Sequence, residues 1–111
     1  MYSTLDFIKH IQDESAFILR NTLNENFESF MQKEVLQKAI IRSLEIIGEA
    51  SKKIPQDFKL NHPLVDWKSM AGTRDKLIHH YFGVDYEIVW DIIENEIPFL
   101  DEYLVKLIQN F

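Results

Sequence analysis

With 111 residues the chain has room for one hydrophobic core, and it is short enough that self-association would add materially to its stability. A composition of 46% hydrophobic and 27% charged residues, with eight Phe, four Tyr and two Trp, excludes a disordered class, and the absence of cysteine excludes a disulfide framework or a thiolate metal site. A net charge of −6 excludes indiscriminate affinity for nucleic acid, which depends on Lys and Arg neutralising phosphates, so any RNA contact has to be local.

Ser3 or Thr4 is placed to cap a first helix, with Leu5, Ile8, Ile11, Phe17 and Ile18 recurring at helical spacing up to about Leu23. The polar stretch from Asn21 to Asn26 reads as a turn. After it Phe27, Phe30, Met31, Val35, Ala39, Ile40, Leu44 and Ile47 predict one long second helix over most of 26–53, ended by Pro55. Gly48 lies inside that helix at a cost of about 1 kcal/mol relative to alanine. Two explanations stay open: close approach of another backbone, or a glycine tolerated near a helix end. On the same helix Glu49 and Lys53 are spaced as a favourable i, i+4 ion pair, and Arg42 and Glu45 read with them as a solvated face.

PQDFKLNHP, residues 55–63, is the main connection. LVDWKSMAGTRDKLIHHYF follows as a helical segment broken at Ala71-Gly72-Thr73, with Thr73 a possible cap for the continuation and Gly83 ending it. Asp85 is placed to cap a last helix containing Ile88, Val89, Trp90, Ile92, Ile93, Ile97, Leu100, Leu104 and Leu107, kinked or divided by Pro98. No internal repeat appears, and no alternating run long enough for a sheet. The expected fold is all-α, an antiparallel four-helix bundle with short extra helical turns, whose wide apolar stripes leave room for a homodimer face. Nowhere do about 18 apolar residues run consecutively, and the N-terminus lacks the basic flank and apolar run of a leader, so a cytoplasmic protein with no membrane contact is expected.

The concentration of polar chemistry is RDKLIHHYF, residues 74–82. Histidine exchanges protons near neutrality, and arginine holds a phosphate bidentately and stabilises charge developing on it. The pair suits phosphodiester cleavage in RNA, where the neighbouring 2′-hydroxyl supplies the nucleophile and no metal or cofactor is needed. On an ideal helix Arg74 and His79 lie about 140° apart, so spacing alone does not make a site; they converge if the arginine stem bends round, or if two copies of the helix meet across a twofold axis. The structural alternative pairs Arg74 with Asp75 or another surface acid, buries His79 as a satisfied core group, and packs Tyr81 with its hydroxyl at the rim. His79 and His80 are adjacent rather than i, i+4, and His10 and His62 are remote in sequence, so no metal site is read here.

Arg74-x4-His79-x-Tyr81, in the context WKSMAGTRDKLIHHYFGVDYEIVWDII, closely resembles the HepT-like family of HEPN-domain proteins. RSLEIIGEASKKIP in the second helix and the Pro98 region reinforce the resemblance, which covers roughly residues 35–100, with the helical order extending it to a single HEPN/HepT-like domain over 1–111. It implies a homodimeric bundle acting as the metal-independent endoribonuclease toxin of a type VII toxin–antitoxin pair, with a minimal nucleotidyltransferase of the MNT type as antitoxin. Arg74 and His79 become the catalytic pair in a dimer cleft, Asp75 the polar residue that commonly follows the arginine, and Tyr81 the acceptor of AMP from the antitoxin. Thr73 departs from the apolar residue frequent before the arginine, which puts nothing catalytic in doubt. RNA is the implied substrate, with transfer and messenger RNA both open. The alternative from a different class is a non-catalytic dimeric partner that recruits the nucleotidyltransferase.

Overall fold

The computed structural model describes residues 2–77 and 83–111. Helix α1, Thr4–Thr22, begins with a reciprocal cap: the Asp6 amide donates to Ser3 Oγ at 3.2 Å while the Ser3 amide donates to Asp6 Oδ2 at 2.8 Å. That backbone hydrogen bond, helped by the Ser3 hydroxyl, holds the Asp6 carboxyl below its ordinary value. Ile8, Ile11 and Ile18 face inward at helical spacing and are fully buried. Ser15 shares their face, its hydroxyl within reach of both the Gln12 carbonyl, 2.9 Å, and Asp101 Oδ1, 2.8 Å. Gln12 Nε2 donates to the same carboxylate oxygen at 3.1 Å, so a polar stitch joins α1 to the C-terminal helix. Ser15→Ala removes a donor from that carboxylate and is expected to cost about 1–3 kcal/mol, read as a lower denaturant midpoint at unchanged m-value.

The long helix expected over 26–53 is two helices, α2, Phe27–Met31, and α3, Glu34–Lys52. Local hydrogen bonding wins over the apolar periodicity. Asn26 and Ser29 form a reciprocal cap that starts α2, the Gln32 amide closes it, and Lys33 leaves helical geometry at φ −119°, ψ 83°. The Phe30 carbonyl accepts from the Lys33 amide at 3.2 Å and also from the buried Gln37 amide nitrogen at 2.9 Å. The break sends Phe30 into the core, its ring centroid 5.3 Å from that of Trp90 and 6.2 Å from that of Tyr86, and turns Met31 and Val35 to solvent although the periodicity reads both as core positions. Lys33 Nζ closes the turn on Glu25 Oε2 at 2.6 Å.

Pro55 ends α3 as expected, and in extended conformation it is also the N-terminal cap residue of a short helix, α4, Gln56–Asn61, inside what the sequence reads as connection. The segment after it is tied down by its own side chains. His62 Nδ1 lies 2.7 Å from the Tyr103 hydroxyl, Trp67 Nε1 donates to the His62 carbonyl at 3.0 Å, and the Phe58 ring packs at a tilt against that of His62 with centroids 4.5 Å apart. Asp66 caps α5, Trp67–Ala71, and Gly72 separates it from α6, Thr73–Leu77, at the expected break. Thr73 is not the cap: it is buried in α6 and its hydroxyl donates back to the Ser69 carbonyl at 3.2 Å.

Asp85 caps α7, Tyr86–Asn95, accepting from the Glu87 and Ile88 amides. Pro98 divides the last apolar run, sitting in the first turn of α8, Ile97–Gln109, where its missing N–H costs nothing. Packing of α1 on α3 and α8, of α3 on α5 and α6, and of α7 on α8 encloses one cluster of buried side chains from Ile8 to Leu104. The all-α bundle expected from the sequence is what forms. Among the described residues no helix is long and apolar enough to cross a membrane.

Candidate active site

Gly48 positions the site. A Cβ built on it would stand 3.0 Å from the Met70 carbonyl oxygen and 3.8 Å from that of Ala71, so α5 crosses α3 backbone to side-chainless backbone at this point. The close-approach reading of Gly48 is therefore the one that holds. A side chain here would press α5 away by at least a few tenths of an ångström, and α6 follows directly after α5.

Helix α6 is pinned at both ends, because Thr73 and Leu77 are buried, which turns Arg74, Asp75 and Lys76 outward between them. The Asp75 and Lys76 amides share the Gly72 carbonyl, at 3.1 and 3.2 Å, and the Lys76 ammonium reaches back to Ser69 Oγ. Arg74 projects into a cleft of about 210 Å³ between α3 and the α5–α6 break, lined also by Arg42, Glu45, Glu49 and Lys52, with Gly48 and Ala71 among its apolar surroundings.

The Arg74 side chain makes no ion pair or hydrogen bond with any described residue. The structural alternative, a guanidinium spent on Asp75 or a neighbouring acid, does not hold among those residues. An exposed, uncommitted guanidinium in a concave site is free to take two oxygens of one phosphate. The carboxylates opposite it belong to α3. Their ion-pair arrangement differs from the expected one: Glu49 Oε1 lies 3.7 Å from Lys52 Nζ, three residues on, whereas Lys53 sits just past the helix as its C-terminal cap. Both members of the pair are exposed, so it contributes little to stability.

By sequence Arg42, Glu45 and Glu49 read as a solvated face, and Lys52 does not stand out. A signal is nonetheless there to find. At 100° per residue these four positions fall within an arc of about 80°, on the helix that carries the interior glycine. His79 and Tyr81, the other two residues of the motif that begins at Arg74, lie outside the described residues, as does the end of the helical continuation; Gly83 just beyond adopts φ +82°, the left-handed conformation that favours glycine.

Comparison with known proteins adds a family to this geometry. The model of the ribonuclease HepT-like family matches residues 11–107. A candidate RNase of Caldanaerobacter subterraneus subsp. tengcongensis is 46% identical over 94% of this chain and 93% of its own length. A candidate RNase of Methanocaldococcus jannaschii is 50% identical over 83% of this chain and 76% of its own. A protein of Thermococcus cleftensis named "Probable ribonuclease HepT" is 46% identical over 92% and 93%. No solved structure matches the chain.

Proposed function

The chain belongs to the ribonuclease HepT-like family, and from that premise we propose that it is an endoribonuclease acting through Arg74 and His79, without a metal ion, as the toxin of a toxin–antitoxin pair. The observation that carries the reading is Arg74 itself: exposed, uncommitted among the described residues, and set in a cleft. In the reaction the 2′-oxygen of a ribose attacks the adjacent phosphorus, the phosphorus–5′-oxygen bond breaks, and a 2′,3′-cyclic phosphate and a 5′-hydroxyl result. His79 takes the proton from the 2′-hydroxyl or delivers one to the departing 5′-oxygen, and Arg74 holds the non-bridging oxygens as charge builds on them. The pair comes from both subunits of a homodimer whose cleft brings two copies of the motif together. Asp75 is the supporting polar residue that follows the arginine.

Tyr81, two residues past His79, supplies the control. Its hydroxyl attacks the α-phosphorus of ATP bound by the nucleotidyltransferase antitoxin, an oxygen–phosphorus bond forms, and pyrophosphate leaves. Each adenylyl group places bulk and a negative phosphate beside groups that have to bind RNA phosphate, and substrate is repelled.

Incubation of the purified chain with its nucleotidyltransferase and ATP tests the control step by intact mass and RNA cleavage. The expected result is addition of adenylyl groups at Tyr81 together with loss of cleavage, and a Tyr81→Phe protein that is unmodified and still cuts. Unimpaired cleavage by the fully adenylylated protein would contradict it.

A further inference from the structure

The net charge of −6 conceals a strong asymmetry. Residues 42–76 carry seven Lys or Arg against five Asp or Glu, a balance of +2, while the rest of the chain carries five against thirteen, a balance of −8. The same stretch holds the Arg74 cleft and, beside it, a groove of about 740 Å³ between α4 and α5. The two meet at Ala71, which lines both.

Lys59 on α4 and Lys68 on α5 flank this groove, and neither makes an ion pair or side-chain hydrogen bond with a described residue. Most of the chain's other lysines outside this stretch are engaged: Lys33, Lys38 and Lys106 each hold a glutamate. Asp66 is the groove's carboxylate, and it is turned to the first turn of α5, accepting from the Ser69 amide at 3.0 Å. Leu60 and Leu64 stand exposed in the same groove. Two uncommitted ammonium groups on an apolar trough, leading to an uncommitted guanidinium, match the alternation of phosphate with ribose and base along a single strand.

We infer that the α4–α5 groove is a binding track for single-stranded RNA, in which Lys59 and Lys68 hold backbone phosphates on one side of the bond that reaches Arg74. The track rests on the ribonuclease reading for its substrate and goes beyond it by assigning the surface. Lys59 and Lys68 are positioning residues with no part in the bond-breaking step. Affinity is gained locally, so an acidic protein binds RNA by one face while the remainder repels it, which confines the strand to the path past Arg74.

The test is binding of a fluorescent single-stranded RNA with every 2′-oxygen methylated, which blocks cleavage, to the parent, to Lys59→Gln/Lys68→Gln, and to a control, Lys9→Gln/Lys38→Gln. Titrations run over a range of salt concentrations, with light scattering of each protein and cleavage of unmodified RNA in parallel. The groove variant is expected to bind about tenfold more weakly, with its salt slope reduced by about 1.4, the change for two single-strand phosphates that the protein no longer neutralises, while the control matches the parent. Equal binding by parent and groove variant, or no binding by the parent, overturns the track. A change of oligomeric state in the groove variant with RNA affinity retained overturns it too, and makes the groove a protein–protein face. Cleavage separates the two claims: a parent that cuts RNA with a groove variant that binds normally leaves the ribonuclease reading standing without the track. A parent that binds through the two lysines and never cuts leaves the track without the enzyme.

Discussion

Arg74→Ala is expected to lower kcat/KM for RNA cleavage by about 10²–10³-fold and to leave the unfolding transition within about 0.5 kcal/mol of the parent. Both halves follow from the same fact. The side chain is exposed and bonded to nothing among the described residues, so the folded state loses nothing when it is removed. Its whole effect falls on the phosphate it would meet in the cleft. Arg74→Lys keeps the charge and loses the two-pronged donor geometry, and is expected to recover a minor part of the rate, with kcat affected more than KM. A large loss of stability in Arg74→Ala would show instead that the guanidinium is a structural group and that the cleft is not where the chemistry occurs.

Gly48→Val is expected to destabilise the fold by about 1–3 kcal/mol and to lower cleavage by more than that loss explains. A β-carbon at this position already stands at 3.0 Å from the Met70 carbonyl oxygen, and the two γ-carbons of valine have no room between α3 and α5. What has to yield is backbone, not a flexible side-chain tip. Displacement of α5 is passed across Gly72 to α6 and so to Arg74, where an error of about 1 Å in placing a phosphate-binding group costs on the order of 10²-fold. Gly48→Ala is the milder probe: about 1 kcal/mol gained in helix propensity offsets a close approach that relaxes by a few tenths of an ångström, and stability stays near the parent's. Denaturant midpoints and kcat/KM, measured together on both variants, separate packing from positioning.

How much of the fold and site is legible in the sequence depends on whether a signal is local. A cap at Ser3 or Thr4, which proves to be Ser3, the cap at Asp85, Pro55 and Pro98 as boundaries and the break at Gly72 are all readable, because each acts within a turn of its own position. The break at Gln32–Lys33 is not. It is accompanied by contacts distant from it in sequence, the Gln37 side chain adding a hydrogen bond to the Phe30 carbonyl from the next helix and Phe30 meeting Trp90 some sixty residues away, while the apolar pattern runs through unbroken. Helix α4 buries none of its residues and so leaves no periodic trace. In the site, the motif that begins at Arg74 stands out in the sequence, and of its three residues the structure describes Arg74 alone. The stripe of Arg42, Glu45, Glu49 and Lys52 passes for an ordinary solvated face until α5 is laid across Gly48 and makes it one wall of a cleft.

Cleavage of RNA by Arg74 and His79 without a metal is tested most directly by incubating total cellular RNA with the purified protein in EDTA, beside Arg74→Ala and His79→Ala, after intact mass has shown that Tyr81 carries no adenylyl group. The predicted result is cleavage by the parent alone, with 2′,3′-cyclic phosphate ends. Equal inactivity of three folded proteins across a broad panel of RNAs would contradict that reading and favour a non-catalytic dimeric partner of the nucleotidyltransferase.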